Sequence, residues 1–426
     1  MPGALTKAEF DADPTQAQPG HTADEAKNQY FNADLGFTFS PRGRWLLDGR
    51  LSYGLKFIQN DIPSFPSYSD LTLHTIALTP KAKFDLNLLA GNRLVVGADG
   101  YYDLLNVKSF SDISRAVLNL ETQISKMSLG AYVQNELSLL ESLSLTAGLR
   151  YELAQIAART LKTSGTDIDE SKLHQALVYD VALLWKFLEG SRFWVRYATT
   201  FRYPFTDEQV SIYGFGTDAF YSELRPETGY NLESGFALRL LRMLTISANG
   251  FLLDMKDEIA NAGFPTFANV NLDRTRHLGV ETQAELELGR WLKLSGGYTF
   301  TQAAFLQGAY QGKTIPLVPE HRASADAVLS LPLGFELGGS GQYIGRTYAA
   351  GDFANSQAPV DGYFLAGAYV RYRPGYIPGK LILYFGVDNL LDAQYAAMSV
   401  YSSFSGQLYY YPGQGRSWKI GGSYQY

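Results

Sequence analysis

The sequence predicts an all-β protein, an antiparallel transmembrane β-barrel of the outer membrane with about 16–18 strands in this chain. Three observations predict it. Apolar and polar residues alternate with a period of two over long stretches, which describes strands with one oily side. These stretches run roughly 10 to 16 residues, against about 5 to 6 for the strands of globular proteins. Aromatic residues crowd their ends, at Trp45 and Phe57, Trp185 and Phe187, Phe193 and Trp194, and Trp291 and Phe300, where interfacial girdles belong. Composition agrees: of 426 residues, 18% are charged and 14% aromatic, whereas soluble domains carry about 25% charge. No segment has the roughly 18 consecutive apolar residues of a membrane helix. The best run, from Leu139 to Leu153, is broken by Glu141, Ser142, Ser144, Thr146 and Arg150.

Residues 1–28 come first, polar and holding Pro2, Pro14 and Pro19. They lack the apolar core of a secretory signal and read as a loop-like segment on the outer side of the membrane. The barrel then occupies 29–426. Its second strand, 44–58, sets Trp45, Leu47, Leu51, Tyr53, Leu55 and Phe57 against Asp48, Arg50, Ser52 and Lys56. The same period places strands at 29–39, 71–86, 92–105, 113–137, 142–157, 173–187, 191–201, 228–241 and 243–256. In 142–157, Leu143, Leu145, Leu149, Tyr151 and Leu153 oppose Ser144, Thr146, Arg150 and Glu152. Strands 277–288 and 290–303 oppose Leu278, Val280, Leu286 and Leu288 to Glu281, Gln283, Glu285 and Glu287, and then Leu292, Leu294, Tyr298 and Phe300 to Lys293, Ser295, Thr299 and Thr301. Further strands fall at 321–332, 334–346, 361–373 and 379–389. The last, 415–426, sets Arg416, Trp418, Ile420, Tyr424 and Tyr426 against Ser417, Lys419, Ser423 and Gln425. Tight turns alternate with long polar loops, the asymmetry of outer-membrane barrels.

This count of strands is odd, while bacterial single-chain barrels have even numbers. Counting back from a last strand that runs to the periplasm puts the start of the first strand outside the cell. Either the count is off by one, or the chain is the C-terminal part of a longer barrel.

Five segments carry a resemblance. They are Phe201-Arg202-Tyr203-Pro204 with Leu224-Arg225-Pro226-Glu227 and Asn231-Leu232-Glu233-Ser234-Gly235; Asn269-Val270-Asn271 with His277-Leu278-Gly279-Val280-Glu281; Gly312 to Pro319-Glu320-His321; Val387-Asp388-Asn389-Leu390-Leu391-Asp392-Ala393-Gln394-Tyr395; and Tyr411-Pro412-Gly413 to Arg416. In this order they resemble the barrel of TonB-dependent outer-membrane receptors, over about Leu5 to Tyr426. Residue chemistry gives these motifs structural roles. Pro226 and Pro319 cannot donate to a ladder and mark strand starts, and Gly235 and Gly279 suit bends or close backbone approach. Glu227, Asn389, Leu390, Tyr395 and Arg416 belong to the same motifs, and Glu233 and Glu281 on the polar face can pair inside the lumen with Arg or Lys. The terminal strand, with Trp418, Tyr424 and Tyr426, resembles the signal read by the barrel assembly machinery.

The resemblance implies a complete receptor with a signal peptide, a TonB-contact box, a plug domain and about 22 strands. Plug, box and signal are not visible in this chain, so TonB would act only through the absent plug; the opening Pro2 to Thr6 and Asp11 to Gln16 look like a loop well inside the family's barrel, which with the odd strand count implies that about five leading strands are missing. The implied function is uptake of a large scarce nutrient, a siderophore, a corrinoid or a glycan, with no activity of this portion alone; the alternative is a passive porin-like channel. Catalysis is not expected. The five histidines are scattered, no hydrolase or nucleotide fingerprint occurs, and no metal or cofactor is implied. The net charge of -6, with no Lys/Arg cluster, argues against a nucleic-acid partner; the expected partners are outer-membrane lipid and an extracellular ligand. Loop aromatics Tyr213, Phe215, Phe220, Tyr221, Tyr401, Phe404, Tyr409 and Tyr410 suit a large flat ligand, or else extend the girdle into the loop stems.

Overall fold

A computed structural model of the chain describes residues 4–16, 18, 20–40, 43, 45–86, 88–162, 167–211, 219–241, 243–261 and 268–426. Among the described residues, alternation becomes one antiparallel barrel wall of seventeen strands. They are β1 (Glu25–Phe39), β2 (Trp45–Ile62), β3 in two segments (Ser67–Leu78 and Lys81–Leu86), β4 (Gly91–Phe110), β5 (Leu118–Leu140), β6 (Leu143–Lys162), β7 (Asp169–Leu188) and β8 (Ser191–Arg202). There follow β9 (Glu227–Leu240), β10 (Leu244–Lys256), β11 (Arg274–Leu288), β12 (Leu292–Phe305), β13 (His321–Ser330), β14 (Phe335–Ile344), β15 (Tyr363–Tyr372), β16 (Lys380–Asp388) and β17 (Ser417–Gln425). Each pairs with its neighbours in chain order, and the register keeps every apolar row on one side, because a slip of one residue would turn it inward. Leu149, Leu177, Leu232, Leu278, Val280 and Phe300 are exposed on the outer face, as lipid contact requires.

The expected strand 71–86 is broken at Thr79-Pro80 because proline offers no N–H; both halves still pair with β2 and β4. This interruption closes a small ring of pairings at β2, β3 and β4. Among the described residues no ladder joins β1 to β17, and each of these has a single neighbour. The first strand begins at Glu25 rather than residue 29. The expected strand 113–137 starts later, at Leu118, because Arg115 turns the preceding loop with a positive φ of 59° and pairs with Asp61 at 2.7 Å and Asp70 at 2.9 Å.

Strands β4, β6 and β7 are longer than expected at 20 residues each, and β5 has 23 against the 25 expected. Their extra length stands beyond the lipid-facing rows, on the side of the long loops, and their inner face there is apolar. Leu105, Val107, Ile124 and Ile156 form a buried cluster, sealed by Val210 and Phe220 from the loop between β8 and β9. The apolar cluster therefore lies inside the tube, under a loop.

Candidate functional site

The loop from Tyr203 to Pro226 turns inward because its polar groups find partners on the wall. Tyr203 donates its hydroxyl to the Glu152 carbonyl (2.8 Å) and Lys126 donates to the Pro204 carbonyl (3.2 Å). A single helical turn, Thr206–Gln209, follows. Gln209, fully buried, meets His174 Nε2 at 2.9 Å and donates to the Tyr221 carbonyl, while the His174 and Tyr203 rings stack at 5.8 Å. The short ladder of Val210–Ser211 with Ala219–Phe220 then delivers Phe220 into the apolar cluster.

The motif residues beside it form a second knot. Arg202 pairs with Glu208 (2.6 Å) and with Glu227, whose carboxylate also accepts from Ile259 N–H at 2.8 Å. Asn271 accepts from Arg225 N–H and donates to the Arg225 and Asp257 carbonyls, tying this loop to the next. Burial would raise the Glu258 carboxyl, but the His277 imidazole and the Thr275 hydroxyl outweigh it and hold the carboxyl below the usual range.

A third knot closes the loop between β16 and β17. Asn389 accepts from Ala393 N–H (2.8 Å) and donates to the Ala393 and Gln414 carbonyls. Asp392 accepts from Arg416 N–H (3.0 Å), Leu390 N–H donates to the Ala366 carbonyl, and Tyr395 packs on Tyr363 at 4.3 Å. Pro319, buried, precedes β13 as expected of a residue that cannot donate. Above this base a hairpin, Ala396–Ser402 with Gln407–Pro412, takes Leu5–Thr6 as a third strand and Ala350 as a bridge partner. The helix Lys7–Ala12 that follows Leu5–Thr6 sets Phe10 against Tyr410 at 5.5 Å.

These placements divide the expected loop aromatics. Phe220 and Tyr410 are each only 8% exposed and pack as interior residues, so they do not offer a free aromatic face. Tyr221, Tyr401 and Tyr409 are half-buried, and Phe404 at the hairpin tip is 76% exposed. Tyr213 and Phe215 lie outside the described residues. The two groups belong to separate loops, 203–226 and 389–416.

The inner wall of β8 to β12 is different again. Trp194 lies over Gly235, where a Cβ would come within 2.5 Å of its indole, and a Cβ on Gly279 would meet the Phe300 carbonyl and the Phe251 ring. Both glycines thus let aromatic rings lie flat on the wall. Trp194, Asn249, Glu281, Thr299, Arg322 and Asp326 line a cavity of about 400 Å³. The expected ion pairs of Glu233 and Glu281 are not formed: Glu233 accepts from Asn231, and among the described residues neither carboxylate has a cationic partner. Asn231 Oδ1 and Asn249 Oδ1 are buried without donors.

The comparisons bear on this architecture. Residues 3–390 match the model of the family described as TonB dependent receptor-like, beta-barrel. The chain is 36% identical over 151 residues to the ferrichrome outer membrane transporter/phage receptor of Escherichia coli (strain K12), covering 33% of this chain and 20% of that protein. It is 24% identical over 280 residues to the ferrioxamine receptor of Yersinia enterocolitica, covering 65% of this chain and 37% of the other. Among solved structures it is similar to the ferric citrate transporter FecA in its unliganded form, with TM-score 0.82 and 19% identity over 99% of this chain and 65% of that one. The copper transporter OprC is similar at TM-score 0.76 and 14% identity, over 94% and 66%. The chain thus spans less than half the length of these two curated relatives and about two thirds of the two solved chains. A family match over most of the chain, on a wall built of seventeen antiparallel strands with its motif residues knotting the loops, makes this chain a member of the TonB-dependent receptor β-barrel family, in the outer membrane.

Proposed function

We propose that this chain is the barrel portion of an outer-membrane receptor that takes up a ferric siderophore by a TonB-dependent route, with the loop rim outside the cell and residues 4–24 part of its outer cover. The observation that carries the reading is the pair of buried amide oxygens of Asn231 and Asn249 on the inner wall, which have no donor, beside Glu233 and Glu281, which form no ion pair among the described residues. Such a wall suits a donor-bearing domain inside the tube, because buried amide oxygens without partners are costly. A plug domain and further wall strands, absent from this chain, would supply it, and TonB would pull on that plug alone. The choice of an iron chelate is supported by the ferrichrome, ferrioxamine and ferric citrate proteins to which the chain is similar; half-buried Tyr221, Tyr401 and Tyr409 and exposed Phe404 would meet it. Trp418, Tyr424 and Tyr426, exposed on the outer face of β17, would be read by the assembly machinery.

Radiolabelled ferric siderophore uptake in cells lacking other receptors tests this. The intact gene product should import in a TonB-dependent manner, and the present chain alone should not. Import by this chain without TonB, or a reproducible single conductance step in a planar bilayer, would instead make it a passive channel.

A further inference from the structure

The loop that turns into the tube is fastened through one histidine. His174 stands fourteen residues from Leu188 at the tight-turn end of β7, beyond the about 9–11 tilted residues that cross hydrocarbon. It is 4% exposed, and its Nε2 lies 2.9 Å from Gln209 Oε1. The Gln209 amide nitrogen already donates to the Tyr221 carbonyl, so Gln209 presents its oxygen and the imidazole donates from Nε2. In the neutral ring Nδ1 then carries no proton, and among the described residues it has no hydrogen-bond partner.

The surroundings of the ring oppose a second proton. Across the ladder stands Ala154, with Ile156 beside it, both fully buried, and the Tyr203 ring stacks on the imidazole from the loop. The charged groups that face it are cations: Lys126 from β5, which donates to the Pro204 carbonyl, and Lys172 on β7 itself. Glu152 on β6 and Glu208 in the loop are engaged by Arg150 and Arg202, and among the described residues no carboxylate lies within ion-pair distance of His174. Burial above all, and then Lys172 and Lys126, hold the imidazole below its ordinary range; the Gln209 bond offsets them only in part. Two other histidines are placed in the opposite sense, His21 at 2.7 Å from Asp24 and His277 at 3.7 Å from Glu258, where a proton completes an ion pair. We propose that His174 is a proton-operated latch: neutral, it holds the 203–226 loop on the inner wall; protonated, it releases that loop and uncovers the apolar cluster under Val210 and Phe220. A released imidazole takes its proton near about pH 6.5 and the docked one only at lower pH. Docking is therefore at full strength above about pH 6.5 and weakens as pH falls below it.

A nitroxide label at Asp207→Cys, an exposed position on the helical turn of the loop, tests this in the full chain refolded in micelles. Its electron paramagnetic resonance line shape would be recorded between about pH 8 and about pH 5. The label should be restricted at the upper end. Below about pH 6.5 a mobile component should grow, its ratio to the restricted one rising by up to about tenfold per pH unit. His174→Gln, which keeps a donor for Gln209 and cannot titrate, should give a flat profile. Lys172→Gln, which removes a facing cation and leaves the latch bond in place, should reduce the mobile fraction at the acid end by about threefold. A label at Ser405→Cys, exposed on the separate hairpin, should not respond, and heat-modifiable gel mobility checks that each variant is folded. Should His174→Gln leave the loop mobile at every pH, Lys172→Gln decides alone. A label that stays restricted in acid with His174 in place, an acid response of His174→Gln equal to that of His174, a matching response at Ser405, or an unchanged rise in Lys172→Gln would each overturn the proposal.

Discussion

The inner wall of β3 to β7 and the inner wall of β8 to β12 are built on the same period of two, yet they end in opposite states. On the first, Leu105, Val107, Ile124 and Ile156 are covered by the chain's own loop through Val210 and Phe220. On the second, Glu281 and Asn249 line an open cavity with Arg322, Glu233 stands opposite Arg196 in the ladder, and among the described residues neither glutamate closes an ion pair. The difference teaches that alternation specifies a wall and its lipid side, while the inner residues decide whether the wall is covered by the chain's own loop or left open to the lumen.

The largest expected effect lies on the sealed half. Ile156→Ala should destabilise the chain by about 2–5 kcal/mol, read as a shift in urea unfolding in micelles, and should expose the 203–226 loop to protease. Gly279→Ala should cost about 1–3 kcal/mol, since its Cβ would meet the Phe300 carbonyl and only the Phe251 ring can move aside. Gln209→Leu should cost about 1–3 kcal/mol by stranding the buried His174 and the Tyr221 carbonyl.

A smaller effect is expected from acid. The folded Glu258 carboxyl lies below its ordinary range, so its contribution is fully present above the unfolded value and is lost as pH falls through the folded one. Stability should decline below about pH 4, and Glu258→Gln should flatten that decline; an unchanged slope would remove Glu258 from the knot. Smallest of all, Glu233→Gln with Glu281→Gln should change the stability of this chain by no more than about 0.5 kcal/mol. A large loss would mean that the polar half is already satisfied from within.

The wall was legible in the sequence because lipid imposes alternation on every strand, and the register places Leu149, Leu278 and Phe300 on the side their spacing indicates. The knots at Arg202–Glu227 and Asp392–Arg416 were legible as motifs but not as contacts, since their partners are 25 and 24 residues apart and meet only after the loops close. The inturned loop was missed. Its run Tyr203 to Gln209 reads as polar, and only Val210 and Phe220, with the inward apolar positions of Val107, Ile124 and Ile156, signal that something must cover that face. Depth separates Phe220 and Tyr410 from the exposed aromatics, and sequence does not carry depth in a loop.

The most direct test uses the absence of cysteine from the chain. Single cysteines at Thr122, fully buried on the sealed half, and at Thr299, on the cavity of the other half, would be labelled with a bulky water-soluble maleimide in folded protein. The account predicts rapid labelling at 299 and protection at 122 for this chain, with 299 becoming protected in the intact receptor. Equal labelling at both positions, or protection at 299 in this chain alone, would contradict it.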